Sequence, residues 1–247
     1  MSPVSQPAGH AVEETIRRID DAVGRLVASA SALSDEQMRE PSLLPGWSRG
    51  HVLSHIARNA DGLRNLLTWA QTGVETPQYA SLTDRAEQIE TGAPRPAAKI
   101  AADVSRSAEA FTAQARELTS EAWLAEVRAS RGPAHPAWFT LHRRLFEVEI
   151  HHVDLAAGYQ PADWPEFFVT GELYRVTGDL AVNPQTPVAI LNDVSTGRQY
   201  LLRPDEASEL EISGPGHGLL AWLLGRDSGT ALSADPAGPL PTIPSYG

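Results

Sequence analysis

Two pairs of ligand-type side chains at helical spacing restrict this chain most. His51 and His55 stand four residues apart, and so do Glu147 and His151. Residues four apart lie side by side on one face of an α-helix. If both pairs serve one purpose, two helices must run side by side with these faces turned inward. Facing helices of a bundle aim such clips at a common point, which is how bundles build metal sites in their cores.

The surrounding sequence supplies the helices. Apolar residues recur at helical spacing from about Ala11 to Leu33, through Ile16, Ile19, Val23, Leu26 and Val27. A second helix is expected from Ser48 to Thr72, with Ser48 as N-cap and Gly73 as stop. A third spans roughly Pro96 to Leu118. A fourth runs from Trp138 to Ala157 and ends at Gly158. The stretch from Gly73 to Pro96 reads as a loop across one bundle end. The reading is a four-helix bundle over residues 1–160.

After Tyr159 the texture changes. Residues 161–167 (PADWPEF) read as a linker or domain edge, and Glu172 to Leu180 as helix. Short β-rich runs follow at Val188 to Leu191, Gln199 to Leu202 and Leu210 to Ile212, with a turn at Thr196-Gly197 between the first two. A last helix covers His217 to Leu224, and the proline-rich tail (DPAGPLPTIPSYG) reads as irregular. Residues 161–247 are therefore expected to form a small α+β domain.

Composition narrows the chemistry. The 247 residues include no cysteine and eight histidines. Disulfides, thiolate metal sites and a cysteine nucleophile are excluded, so a metal must be held by histidine and carboxylate. Zinc accepts that donor set, and a catalytic zinc keeps three protein ligands and one open position. The net charge of −11 disfavours nucleic acid and anionic lipid as partners. No apolar run approaches the ~18 residues that span a bilayer. Residues 1–15 carry neither a basic n-region nor an apolar h-region, so the cytoplasm is the expected location. The chain is expected to act as a monomer or small homo-oligomer on a small molecule.

Spacing alone leaves His51 and His55 as equal ligand candidates. His152 and Glu149 point away from His151 and read as solvated or as polar contacts. Asp154, three residues after His151, either orients that histidine or is a helix-surface charge. His10, His135, His142 and His217 have no partner spacing and read as structural or surface residues.

Residues 43–79 (LLPGWSRGHVLSHIARNADGLRNLLTWAQTGVETPQY) and 146–159 (FEVEIHHVDLAAGY) resemble the mycothiol-dependent maleylpyruvate isomerase family, one of the DinB-like metal-binding bundles. The resemblance extends to Gly46-Trp47, to the run from Thr72 to Pro77, and to a late Gly-Arg at Gly225-Arg226. It is thin between Ser81 and Ala137. It implies a fold of DinB-like four-helix bundle followed by a small α+β domain. It implies His55, Glu147 and His151 as metal ligands and moves His51 to a pocket position beside them. It implies zinc and mycothiol as cofactors, with a zinc-bound thiolate adding to the cis double bond of maleylpyruvate, or of a close unsaturated diacid, and leaving after rotation to give the trans isomer. Arg226 is then the expected anchor of a substrate carboxylate, the other reading being a helix-end charge. Trp47, His51, Asn59 and Tyr79 are expected to line the thiol pocket, although aromatic residues such as Trp47, Trp69 and Tyr79 also fit a core. Arg58 and Arg64 are the expected cations of the second helix. A mycothiol S-transferase fits the same motifs, and a non-catalytic zinc-stabilised binding protein fits a closed metal site.

Overall fold

The computed structural model describes residues 9–204 and 208–246. Residues 1–8, read above for a secretory signal, lie outside this range. The chain divides into two compact units, Met1–Tyr159 and Gln160–Gly247.

The first unit contains α1 (Gly9–Ser31), α2 (Asp35–Arg39), α3 (Arg49–Thr72), α4 (Leu82–Gly92), α5 (Ala97–Glu117), α6 (Ser120–Leu124), β1 (Glu126–Arg128), β2 (Ala134–Pro136) and α7 (Phe139–Asp154). The four long helices form the bundle. α1 packs on α5 and α7, and α3 packs on the same two. Ile16, Ile19 and Leu26 from α1 and Leu53, Ile56, Leu63 and Leu66 from α3 lie in a core without solvent exposure. Each such side chain contributes about 1.5–3 kcal/mol through its burial.

Local signals set the helix ends. Ser48 caps α3 by accepting from the His51 N–H, and Ser48 N–H donates back to the His51 ring at 3.2 Å. Gly73, at φ +71°, closes the helix with its N–H on Trp69 O. The first helix stops two residues short of Leu33 because Ser34 starts α2 with a capping box of its own. The fourth stops at Asp154, short of Ala157. Arg49 donates to Leu155 O and Ala156 O, and the Leu43 N–H donates to Asp154 O, so the free carbonyls are satisfied without a further turn.

The expected loop from Gly73 to Pro96 contains α4, a correction with a clear cause. Only Ile89 and Gly92 of this helix are buried, so no apolar stripe marks it. Ser81 caps it on the Asp84 N–H at 2.9 Å. α4 ends tightly against α3: a Cβ on Gly50 would meet Ala93 O at 2.3 Å. That approach seats α4 over the N-terminal half of α3.

The second unit begins with a 3-10 turn at Pro161–Asp163, followed by α8 (Glu166–Ala181), β3 (Ala189–Asp193), β4 (Arg198–Leu202), β5 (Glu211–Gly214), α9 (Gly216–Leu223) and β6 (Ser233–Asp235). α8 starts six residues before the expected Glu172, directly after Pro165. The sheet order is β4-β3-β5-β6, with β3 parallel to β5 and the other pairs antiparallel. The β3–β4 turn closes through Gly197 at φ +71°, whose N–H donates to Asp193 O. β6 adds a strand that was not expected, at the start of the tail. α9 packs on β3 and β5, and α8 on β4. The observed class is thus helical bundle plus small α+β sheet. No helix of the described residues is long and apolar enough to cross a membrane.

Candidate metal centre

α3 and α7 bring three donors together. His55 Nε2 lies 3.0 Å from Glu147 Oε2 and 3.1 Å from His151 Nε2, and His151 Nε2 lies 3.4 Å from Glu147 Oε2. With bonds of 2.0–2.1 Å, neighbouring ligands of a tetrahedral ion sit about 3.3 Å apart. The three measured edges bracket that value, so the donor set fits one divalent ion with a fourth direction left over. Among the described residues these are the His, Cys, Asp and Glu side chains grouped closely enough to hold an ion.

The flanking residues fix the rings unequally. His151 Nδ1–H donates to the buried Asp154 carboxylate at 2.9 Å, which turns Nε2 towards the cluster. Asp154 is therefore an orienting partner and not a surface charge. Trp47 sits edge-on to His55, with centroids 5.6 Å apart, and stacks on His51. His55 Nδ1 faces Arg85 Nη2 at 2.9 Å.

His51 is engaged elsewhere: its Nδ1 faces Ser48 and its Nε2 lies 3.2 Å from Glu90. Asn59 is buried and accepts from Arg144 Nη1 at 3.0 Å. Tyr79 is half-buried beneath the Arg85 guanidinium, 5.6 Å from ring centroid to Cζ. Arg226 belongs to the second unit, where its Nη1 donates to Leu224 O at 2.8 Å.

Of the two readings of Glu149 and His152, the structure gives the polar contact and not the solvated group: both are buried. Glu149 binds Arg25 and the Tyr159 hydroxyl, while His152 contacts Ser29 and stacks on Tyr159. Arg58 and Arg64 do not supply the cations near the cluster. Arg58 is held by Asp61 and Asp103, and Arg64 by Gln114. The cations are Arg85, hidden in the supposed loop, and Arg144. Arg144, Glu147 and His151 follow one face of α7 at spacings of three and four, the signal that would have found Arg144. Its guanidinium is fully buried, donates to Ile56 O at 2.9 Å, and is pushed down to about 10 by burial.

The cluster is electrostatically coupled. Burial opposes charge on Glu147, yet hydrogen bonds from His151 and His55 hold its carboxyl well below the usual range. Burial lowers His55. Burial also disfavours charge on His151, but Asp154 and Glu147 outweigh it and raise the ring to about 9. A raised value means that protonated His151 stabilises the metal-free fold below pH 6.5, a contribution lost as pH rises through about 9. An entering ion must expel that proton. Between pH 6.5 and 9, therefore, metal uptake should release one proton per ion, and apparent affinity should rise about tenfold per pH unit. Calorimetry in buffers of different ionisation enthalpy measures the proton count; no release at pH 7 would contradict a protonated His151.

The sequence profile described as mycothiol maleylpyruvate isomerase N-terminal domain matches residues 19–156. The crystal structure of the mycothiol-dependent maleylpyruvate isomerase superposes with a TM-score of 0.87 at 29% identity, covering 95% of this chain and 97% of that one. A histidine-to-alanine mutant of the mycothiol-dependent maleylpyruvate isomerase gives 0.86 at 28% identity with the same coverage. No curated protein sequence matches the chain. The profile covers more than half of the chain, and the structural match covers 95% of it: this protein belongs to the mycothiol-dependent maleylpyruvate isomerase family.

Proposed function

We propose that the protein is a mycothiol-dependent isomerase that converts maleylpyruvate, or a close cis-unsaturated diacid, to its trans isomer. The observation that carries this reading is the His55, Glu147 and His151 cluster, three donors at tetrahedral edge distances, in a chain that has no thiol of its own. Zinc suits the donor set. A bound dication would lower the pKa of a coordinating thiol, so that mycothiol reacts as thiolate at neutral pH.

The residues divide the remaining work. Glu147 would offset one of the two charges of a bound dication and leave the site attractive to an anion. Asp154 holds His151 in the tautomer that leaves Nε2 free. Trp47 shields the edge of His55 from water, and Trp47, His51, Asn59 and Tyr79 are proposed to shape the space for the thiol. Mycothiol, when bound, would supply a sulfur nucleophile for reversible addition to the conjugated double bond, which permits rotation and returns the thiol unchanged. No atom or electron is consumed. Metal-replete protein assayed with a panel of thiols and unsaturated diacids tests the reading. Trans product with thiol returned supports it, whereas a stable thioether would make the protein an S-transferase.

Arg226 is proposed to hold a substrate carboxylate, on the match of its Gly-Arg motif. Arg226→Ala should then lower kcat/KM about ten- to a hundredfold, the effect of losing a charged hydrogen-bonding anchor of roughly 1.5–3 kcal/mol. Wild-type kinetics with metal content unchanged would return Arg226 to a helix-end charge.

A further inference from the structure

Arg85 and His55 meet in a way that a metal-bound His55 does not permit. A guanidinium has N–H donors, no acceptor, and keeps its proton. At 2.9 Å from Arg85 Nη2, His55 Nδ1 must therefore be the acceptor, and the ring hydrogen of neutral His55 sits on Nε2. Yet Nε2 is the atom that faces Glu147 and His151. A neutral imidazole that ligates through Nε2 carries its hydrogen on Nδ1. That hydrogen would point at the N–H of Arg85, donor against donor, with a cation beside a dication. His151 offers the internal contrast. Its Nδ1 faces the Asp154 carboxylate, a partner that suits ligation. α7 thus presents a ligand with a matched partner, and α3 one with a mismatched partner.

Arg85 has somewhere to go. It is half-buried on α4, a helix that buries only Ile89 and Gly92. Its guanidinium already lies over the Tyr79 ring, where a cation is welcome. A flexible stem lets the head turn without moving the backbone. We propose that a divalent ion and Arg85 compete for His55, and that the guanidinium released by metal loading binds a carboxylate of the diacid substrate. The second half rests on the isomerase reading, while the first stands without it. A planar fork accepts a carboxylate bidentately, so an incoming carboxylate can take the place that His55 leaves on the guanidinium. Charge recognition then switches on only in a loaded site. Because coupling is reciprocal, a bound diacid tightens the metal by the factor with which the metal tightens the diacid.

Arg85→Met, with Arg85→Lys as companion, tests this in the full chain, with circular dichroism to check the helices. Zinc affinity by chelator competition should rise roughly fivefold or more in Arg85→Met, the lower end of ordinary coupling. Nitrogen NMR of the His55 ring should show the hydrogen on Nε2 without metal and on Nδ1 with it. KM for the diacid should rise about ten- to a hundredfold in Arg85→Met with a smaller change in kcat, and Arg85→Lys should restore it only partly. Zinc affinity that stays equal or falls in Arg85→Met, or a hydrogen on Nδ1 in the metal-free protein, overturns the competition. Higher zinc affinity with unchanged KM overturns the substrate role alone. If the wild-type protein isomerises no diacid, the isomerase reading fails, and the zinc and NMR results still decide the competition.

Discussion

Alanine at His55, Glu147 or His151 is expected to yield folded protein that has lost its metal. The three donor atoms define one face of a coordination sphere, with edges of 3.0, 3.1 and 3.4 Å. Removing any one leaves two ligands, fewer than the three that a catalytic zinc site uses. Loss of an orienting partner alone costs about 10–100-fold in metal affinity, so loss of a ligand should cost more. Glu147→Ala should be the most severe, because it also removes the one negative charge that faces both histidines. His51→Ala serves as control. It forfeits a capping contact and the pair with Glu90, of order 1 kcal/mol in stability, and should keep the ion. Thermal unfolding gives a second readout, since an ion present at 1,000 times its Kd stabilises the native state by about 4 kcal/mol. Elemental analysis that finds full metal in all three ligand variants would remove the assignment.

Sequence patterns carry the long helices well, because α1, α3 and α5 each bury a continuous apolar face and the ends of α3 are marked by Ser48 and Gly73. They carry α4 and β6 poorly for one shared reason. α4 buries one sizeable apolar residue, and β6 is Ser233, Ala234 and Asp235, so neither shows a period. Their places are set by the elements that they pack or pair against. The site divides in the same way. Spacing marks both clips but cannot choose between His51 and His55, which are equivalent by period. In the structure His51 is spent on Ser48 and Glu90, and of the two histidines it is His55 that reaches Glu147 and His151 on α7. Arg85 is invisible without α4. For Glu149 and His152 the pattern leaves solvation and polar contact open, and the α1 side chains Arg25 and Ser29 decide for contact. Burial of charged groups depends on a partner distant in sequence, and no local pattern reports it.

Isomerisation should be absent without added mycothiol and catalytic in the thiol when it is present. The chain contains no cysteine, so the sulfur nucleophile has to arrive from solution. Rotation about a conjugated double bond needs that bond to become single for a moment, and addition of sulfur followed by elimination achieves this without net change in the thiol. Many turnovers per mycothiol are therefore expected, with free thiol undiminished at the end. A transferase would instead consume one thiol per product and accumulate thioether. The rate should also follow the ionised fraction of the thiol. A free thiol of pKa ~8.5 is only a few per cent thiolate at neutral pH, so a site that ionises it completely gains roughly thirtyfold from that effect alone. In the metal-free protein that gain should disappear, and the residual rate should climb with pH towards 8.5 as thiolate forms in solution. The loaded enzyme should show a flatter profile over the same range. Two comparisons decide the matter: loaded protein with and without mycothiol, and loaded against metal-free protein at fixed thiol. Full rate in rigorously thiol-free buffer would end the thiol mechanism and leave water activated at the His55, Glu147 and His151 cluster as the chemistry to pursue.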